Sequence, residues 1–452
     1  MKNLLLTFSL LMICLEGMAQ GVPFPNPYGG GPGINTIATH QLDEGKSELQ
    51  LGLWTQARIM YNMSNIPGPG NSFLSETSNY DFFRQRVRFG ADIRFVDTSA
   101  NVQAGVYTQL EYRGGWGGSS PAFSDPRASA PTINPYNNIQ PRGIRYGYAY
   151  AQWNNQTTLV AGILPLTDAY GGALFDADWD FNVGGIALGG PFLQKGKYRL
   201  GLVRLIDGVG GDEDQVGKNG QLILAEQSYP IGDLTLGASV YHLNVPEELS
   251  FLGLKETWLG ATLGGKSDAF AWKGSFILNT GEADDESHTG LAIALNLDAA
   301  IGSGKLSVLG LMSTGDELDK TEKAFITPHA LLGTGGYWAK AHIFTPNGPS
   351  DVNDFGLEAG NRGRGLTTLQ LDYGFPISAS CLNANIYAAW FNSSTELNAS
   401  KNMGLEFGAM LNWQIAKFLH WELGGAYASL GDYYGDDPDG IYELFSRFQF
   451  EW

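Results

Sequence analysis

The last segment of the chain constrains its fold more than any other stretch does. Between residue 441 and the final residue, apolar and polar side chains alternate, and the series ends on an aromatic residue. The apolar positions are Tyr442, Leu444, Phe448, Phe450 and Trp452. Because side chains of a strand alternate between its two faces, this strand has one apolar face. The pattern predicts the closing strand of an all-β, transmembrane antiparallel β-barrel, with an edge strand of a soluble sandwich as the alternative.

The first residues fit a secretory signal peptide, which we predict to span residues 1–19. Lys2 supplies the positive charge, residues 4–15 the apolar run, and Gly17-Met18-Ala19 the small-residue cleavage site. The apolar run is shorter than the roughly 20 residues that a membrane-spanning helix needs, and no other stretch approaches that length. A membrane assignment therefore depends on strands.

The strand that ends on Trp452 also resembles the C-terminal signal by which Gram-negative outer-membrane proteins are recognised for insertion. This resemblance implies that the protein lies in the cell outer membrane. The expected partners are then outer-membrane lipid, lipopolysaccharide and, through Trp452, the barrel-assembly machinery.

The rest of the chain divides into a lead-in and a barrel. Residues 20–46 are rich in Gly and Pro, lack periodicity and are predicted to be a mobile periplasmic lead-in. Residues 47–452 repeat segments of about ten residues with alternating polarity, the spanning length of a tilted strand. Periplasmic termini require an even strand number, and the segmentation gives about 18 strands, with a range of about 16–20. The strand count could change by one hairpin in each of two regions, 180–206 and 320–345.

Connections between these segments are alternately short and long, as expected for periplasmic turns and extracellular loops. The predicted long connections are 62–79, 115–143, 164–182, 207–219, 246–254, 281–287, 317–334, 346–363 and 430–440.

Composition adds few constraints. The net charge is −18, and much of the acid falls in runs between strands, such as Asp212-Glu213-Asp214. These runs are interpreted as solvated loops, with a divalent-cation role at the lipopolysaccharide surface as the alternative. Cys381 is the only cysteine after residue 19, so no internal disulfide is predicted.

One strand, residues 80–95, carries arginine on alternate positions. From Phe83 to Phe95, one face of this strand is apolar except for Gln85. The opposite face holds Arg84, Arg86, Arg88, Asp92 and Arg94. A charge at the bilayer midplane costs about 2–4 kcal/mol in a barrel, so these side chains must face the lumen. Neighbouring strands add further polar residues to the predicted pore lining, namely Arg58, Glu111 and Arg113.

Two interpretations of this face are compatible with each other. In the first, the arginines attract an anionic solute, because guanidinium groups bind carboxylates through paired hydrogen bonds. In the second, they form an internal salt-bridge network that stiffens the wall, with Asp92 and Glu111 limiting the excess charge. Lys340 and His342 share the parity of Trp338 and are weaker lumen candidates.

The sequence also suggests where the pore narrows. The stretch 114–143 is long and rich in Gly, Ser and Pro, and it contains the constriction candidates Trp116, Arg127 and Arg142. The alternative is that this loop does not fold inward. A pore for neutral sugars would instead use Trp54, Trp116 and Tyr107 as stacking surfaces.

Nothing in the sequence predicts an enzyme. We find no nucleophile elbow, phosphate loop or zinc spacing, and no serine suitably placed beside a histidine. No cofactor, metal site or nucleic-acid partner is predicted.

Three short motifs resemble known porins. Residues 83–90, Phe-Arg-Gln-Arg-Val-Arg-Phe-Gly, resemble the opening strand motif of the alginate-export family of outer-membrane porins, and residues 175–179, Phe-Asp-Ala-Asp-Trp, resemble its Asp-Trp loop. Residues 342–345 and 349–356 resemble porin-like relatives in Bacteroidetes. The resemblance implies an 18-stranded barrel whose arginine-lined pore conducts an anionic polyuronate, with Arg84, Arg86, Arg88 and Arg94 contacting the solute.

Together these observations predict a passive outer-membrane channel for an anionic solute such as a uronate or acidic oligosaccharide. The alternatives are a neutral-sugar channel and a non-conducting barrel that serves as a structural or docking partner in an envelope complex.

Overall fold

Strands make up most of the structure, a computed structural model. It describes residues 34–66, 80–116, 140–179, 181–207, 216, 218–247, 254–283, 286–317, 322–328, 336–347, 355–378 and 381–452. The strands are β1 (Asn35–Leu42), β2 (Ser47–Ser64), β3 (Tyr80–Asp97), β4 (Val102–Gly115), β5 (Gln140–Trp153), β6 (Thr158–Pro165), β7 (Asn182–Phe192), β8 (Gly196–Asp207), β9 (Asn219–Ile231), β10 (Leu234–Val245), β11 (Leu254–Lys266), β12 (Phe270–Ala283), β13 (Glu286–Ile301), β14 (Gly304–Ser313), β15 (Leu366–Ser378), β16 (Leu382–Leu397), β17 (Ser400–Ala416), β18 (Leu419–Leu430) and β19 (Ile441–Glu451). Short 3-10 turns lie at Asp43–Gly45 and Asp432–Tyr434.

Strands β2 to β19 form a closed antiparallel barrel. Each of them pairs with its neighbour in sequence, and β19 pairs with β2 from Glu443↔Ser64 to Glu451↔Gln56. Trp452 continues this seam, since its backbone N–H and C=O both bond to Thr55, at 2.9 and 2.8 Å. The predicted 18-stranded barrel is thus confirmed.

The first strand lies beside the barrel seam. Strand β1 pairs with the first half of β2, from Asn35↔Leu53 to Leu42↔Ser47, whereas β19 occupies the second half of the same edge. The interpretation of residues 20–46 as a lead-in without regular structure is therefore wrong for Asn35–Leu42. The seven pairs of this register satisfy backbone groups that β19 is too short to reach.

The connections differ in length between the two ends of the barrel. Turns such as 193–195 and 302–303 join strands at the end where both termini of the barrel lie, and the long connections lie at the other end. One predicted detail is wrong. The predicted long loop 281–287 is a tight connection, because β12 and β13 pair up to Ala283↔Glu286. Strands β16 and β17 also meet at a tight turn, where Asn398 and Ala399 have positive φ values of 52° and 58°.

The region 320–345 contains no strand in its described parts, 322–328 and 336–345. Strands β14 and β15 pair directly, with Met312 opposite Thr367, so the whole of 314–365 is one connection. The strand-like alternation around Lys340 and His342 is therefore misleading, and these residues belong to a loop.

The outer wall is apolar. On β3, Phe89 and Ile93 are 51% and 57% exposed, while the flanking Arg88 and Arg94 are buried. Comparable leucine, isoleucine and phenylalanine side chains cover the outside of the other barrel strands. Such a band is unfavourable in water and favourable in lipid, so this is a barrel of the outer membrane. Among the described residues, no helix is long and apolar enough to span a bilayer.

Two long connections fill much of the barrel interior. The described residues of 166–181, between β6 and β7, and of 314–365, between β14 and β15, include the fully buried aromatic residues Phe175, Phe181, Phe325 and Phe344. These side chains join inward-facing wall residues in one hydrophobic cluster. The two connections, here called the first and second inward loops, therefore provide a packed core within the barrel.

Candidate functional site

The arginine ladder, defined as Arg84, Arg86, Arg88 and Arg94, lies on the inner face of β3. Its four side chains are only 5–9% exposed. The series is interrupted at Gly90, where a Cβ would lie 2.6 Å from the Tyr107 hydroxyl of β4. Glycine is needed here because the tyrosine ring packs across the strand.

Arginine residues of the two neighbouring strands lie beside the arginine ladder. Arg86 of β3 lies directly opposite Arg58 of β2 and Arg113 of β4. Like charges at directly opposed positions are unfavourable, so their side chains need partners. Arg86 donates to Gln56 Oε1 at 2.9 Å, and Arg58 Nε donates to Gln449 Oε1 at 2.9 Å. Amide acceptors of this kind orient a guanidinium group without cancelling its charge.

Glu111 is the main counter-charge of the ladder. Its carboxylate contacts Arg88 at 2.5 Å, Arg113 at 3.1 Å and Arg145 at 3.3 Å. All four side chains are at most 10% exposed. One carboxylate is therefore shared by three arginines.

Asp92 neutralises the far end of the ladder. It accepts from Arg94 at 2.8 Å and from the Tyr150 hydroxyl at 2.9 Å. The ladder is consequently of two kinds: Arg94 belongs to a local ion pair, whereas Arg86 and Arg88 face the open part of the lumen.

The first inward loop is shaped by Asp168. This fully buried carboxylate accepts four backbone N–H groups, from Tyr170, Gly172, Leu174 and Phe175, at 2.5–3.0 Å. Burial raises the pKa of Asp168 to about 6, while the four donors act in the opposite direction. The loop therefore keeps a fixed backbone shape around one side chain.

Basic wall residues hold this loop by its carbonyl groups. Arg199 donates to Thr167 O at 2.6 Å, and Lys273 donates to Ala169 O at 2.6 Å. Arg145 donates to Ala177 O at 3.0 Å and to Asp178 O at 3.2 Å. These contacts come from β8, β12 and β5, so the loop lies across the interior.

The second inward loop is held by acceptors on the opposite wall. Gln370 Oε1 of β15 accepts the backbone N–H groups of Lys340 and Ala341, at 2.7 and 3.2 Å. Glu406 of β17 accepts those of His342, Ile343 and Phe344, at 2.6–3.0 Å. Five consecutive N–H groups, residues 340–344, are thus satisfied by two wall side chains instead of by a neighbouring strand.

The two inward loops contact each other. The Tyr337 N–H donates to Asp176 Oδ2 at 3.1 Å, and the rings of Trp179 and Tyr337 form an edge-to-face pair with centroids 5.2 Å apart. Their junction faces the arginine-bearing part of the wall.

Between this junction and the wall lies a cavity of about 430 Å³. The wall side consists of residues from β2, β3, β17 and β19, and the loop side of residues from both inward loops. The lining residues are Gln56, Arg58, Arg86, Arg88, Met410 and Arg447 on the wall, and Asp178, Tyr337, His342 and Asn347 on the loops. Four guanidinium groups and one carboxylate line the cavity, and two of the four, Arg88 and Arg447, also contact Glu111 and Glu422. The charged groups of the lining are therefore mainly cationic, which suits an anion.

His342 is the least exposed of the loop-side residues, at 7%. Its ring packs against Tyr387, with centroids 4.7 Å apart, and its Nδ1 has no hydrogen-bond partner among the described residues. Burial, with a smaller contribution from Arg447, lowers the pKa of His342 to about 4. The imidazole is therefore neutral at physiological pH.

The structure places the predicted residues unequally. Arg58, Arg86 and Arg88 line the cavity, while Asp92, Arg94, Glu111 and Arg113 form the ion pairs beside it. Arg84 is buried on the same face of β3.

The predicted constriction residues do not form this site where they can be placed. Trp116 is 46% exposed and stacks on Phe83, on the lipid side of β3, so its assignment to the constriction is wrong. Arg127 lies outside the described residues, as does the side chain of Arg142. Tyr107 is fully buried and bonded to Gln109, so it offers no stacking surface for a sugar.

Sequence reasoning missed two important arginines. Arg447 lines the cavity and contacts Glu422, and Arg145 holds the first inward loop. Arg447 stands at a polar position of the closing strand, so alternation alone could have assigned it to the lumen. The loop contacts of Arg145 have no comparable signal, because they join residues that are distant in sequence.

Comparison with known proteins identifies the fold. No protein-family model and no curated protein sequence matches this chain. Solved structures do match, among them a BenF-like porin from Pseudomonas fluorescens Pf-5, with a TM-score of 0.58 at 11% identity over 89% of this chain and 98% of that one. OccAB1 from Acinetobacter baumannii has a TM-score of 0.57 at 13% identity, over 89% and 96%. OccK2 (OpdF) from Pseudomonas aeruginosa, in complex with glucuronate, has a TM-score of 0.53 at 12% identity, over 89% and 98%. The chain has the fold of outer-membrane porins.

Proposed function

We propose that this protein is a passive outer-membrane channel that admits small organic anions through the arginine-lined cavity. The cavity is the observation that supports the proposal most directly. Its wall carries Arg58, Arg86, Arg88 and Arg447, and the loops supply a single carboxylate, Asp178.

A narrow, positively charged passage raises the local concentration of anions and excludes cations. The packed inward loops occupy part of the interior beside these guanidinium groups, so a solute that enters the cavity passes close to them. Fold likeness to porins is consistent with transport and offers no model for catalysis.

The proposed solute class is a carboxylate such as a uronate or an acidic oligosaccharide. Guanidinium groups bind carboxylates with paired, charge-assisted hydrogen bonds. The short-motif resemblance to the alginate-export family points to the same class, and one structural neighbour was solved with glucuronate. A polyuronate is the finer form of this proposal.

The reversal potential of the purified protein in a planar bilayer under a KCl gradient tests the proposal. We expect a stable pore with a chloride-over-potassium preference. A variant with Arg58, Arg86, Arg88 and Arg447 replaced by Gln should lose most of that preference. A control variant with the exposed residues Lys195, Lys197, Lys255 and Lys266 replaced by Gln loses the same charge elsewhere on the protein. This variant should retain the anion preference.

Two results would contradict the proposal. A cation-selective pore would mean that the acidic loops dominate permeation. A protein that folds and inserts but shows no conductance would instead favour the docking alternative, since the inward loops would then close the lumen.

A further inference from the structure

We propose that His342 makes the channel select hydroxylated carboxylates over carboxylates of the same size that lack hydroxyl groups. This inference rests on the proposed function and assigns a specificity-determining residue to the same cavity.

The cavity has two chemically different sides. The wall side is cationic, with Arg58, Arg86, Arg88 and Arg447, and it fixes where a carboxylate binds. The loop side carries one carboxylate, Asp178, and three uncharged groups that can hydrogen-bond, Tyr337, His342 and Asn347. A solute that fits both sides therefore has an anionic group at one end and hydroxyl groups at the other.

His342 is held in place more firmly than a pore-lining side chain on an open loop would be. Its backbone N–H donates to Glu406 at 2.6 Å, and its ring packs between Tyr387 and Phe445, at centroid distances of 4.7 and 6.2 Å. A preorganised group loses little entropy when a solute binds, so its hydrogen bond discriminates better.

The His342 imidazole also has unused hydrogen-bonding capacity. Its Nδ1 is buried and has no partner among the described residues, so Nε2 is the ring nitrogen that can meet a solute in the cavity. The low pKa of His342 keeps the ring neutral. A neutral imidazole has one donor and one acceptor, which matches a hydroxyl group and adds no charge to the arginine-rich site. At about 430 Å³ the cavity falls within the range of small-molecule sites, about 300–1,000 Å³.

Block of the KCl current at pH 7 tests this inference with two acids of similar ring size, glucuronate and cyclohexanecarboxylate. We expect the wild-type channel to be blocked by glucuronate at a concentration about three- to tenfold lower, the range for one net hydrogen bond. The His342→Leu variant should bring the two blocking concentrations within about twofold of each other while keeping the anion preference.

Two matched variants separate hydrogen bonding from packing. His342→Gln restores a neutral hydrogen-bonding group and should recover part of the discrimination. His242→Leu makes the same substitution at an exposed histidine of β10 that does not line this cavity, and it should leave the discrimination unchanged.

The outcomes distinguish this inference from the proposed function. An anion-selective wild-type channel that the two acids block equally would overturn the role of His342 alone. Unchanged discrimination in His342→Leu would do the same. A wild-type channel without anion preference would overturn both proposals.

Discussion

At the residue scale, the inner wall depends on shared carboxylates. Glu111 contacts Arg88, Arg113 and Arg145, and each of these arginines is at most 10% exposed. Arginines so closely grouped repel each other, and a single buried charge without compensation is costly. These contacts form the salt-bridge network of one interpretation of the ladder, whereas anion attraction is the role proposed for the cavity.

We predict that Glu111→Gln destabilises the barrel by about 3 kcal/mol, because it removes the shared partner of buried charges. Urea unfolding in detergent micelles, followed by tryptophan fluorescence, measures this change. Glu282→Gln is the control, since the Glu282–Lys255 pair is more than half exposed and such pairs contribute little. Equal stabilities of the Glu111 and Glu282 variants would contradict the prediction.

The low pKa of His342 predicts an acid-sensitive contribution to stability. The pKa of His342 in the folded protein, about 4, lies below the ordinary histidine value of 6.5. Between these two pH values the unfolded chain therefore binds more protons than the folded protein does. Stability from this residue is therefore complete above about pH 6.5 and is lost as the pH falls toward 4, by about 3 kcal/mol at most.

The thermal midpoint of the wild type, measured from pH 4 to pH 8, should fall on acidification by more than that of His342→Leu. Carboxylates that titrate in the same range affect both proteins, so the difference between them isolates the histidine. Parallel curves for the two proteins would show that His342 titrates normally.

At the element scale, side chains replace strand pairing inside the barrel. Five N–H groups of the second inward loop bond to Gln370 and Glu406. This explains why alternation at residues 337–343 predicts a strand incorrectly. Most of these residues are buried in the loop, so the alternation of residue types there does not correspond to alternating exposure.

Glu406→Ala should loosen the second inward loop, because three buried N–H groups lose their acceptor at about 1–3 kcal/mol each. We expect larger single-channel conductance and more frequent current fluctuations. Glu396→Ala, in the exposed part of the β16–β17 hairpin, is the control. A Glu406 variant with wild-type current traces would mean that other contacts position the loop.

At the scale of the whole molecule, the pairing of the barrel strands does not depend on the two inward loops. The wall closes through strand pairing alone, including β14 with β15 across the ends of the second inward loop. The two inward loops then determine how much of the barrel interior is open. An 18-stranded cylinder without them would be wide enough for an aqueous channel.

Replacement of residues 336–347 by a Gly/Ser segment of equal length should therefore raise the single-channel conductance several-fold while the barrel still folds. Conductance in a planar bilayer and the heat-dependent gel shift of the folded barrel measure the two effects. An unchanged conductance would place the narrowest part of the pore elsewhere.

The barrel seam gives a further prediction at this scale. Deletion of residues 35–42 leaves the first half of the β2 edge without β1, and β19 cannot replace it because its pairing ends near Gln56. We expect a lower unfolding temperature, since seven paired positions are lost. Proline at Thr39 is a milder test of the same pairing, as it removes one backbone N–H. Wild-type unfolding temperatures for both variants would show that β1 adds no stability.

The sequence by itself determined the fold class, the direction in which each strand presents its side chains and the even strand number. These properties follow from local periodicity and from the cost of placing charge in lipid, which act within one strand at a time. Arg58, Arg86 and Arg88 could be assigned to the lumen for that reason.

Only the tertiary structure decided which of the inward-facing arginines reach open space. That depends on the two inward loops, whose contact joins Asp176 to Tyr337, 161 residues apart. It also placed Trp116 on the lipid side and brought Arg447 and His342 to one cavity. Such contacts between irregular segments have no periodic signal, because their partners are set by shape and by single hydrogen bonds within the folded barrel.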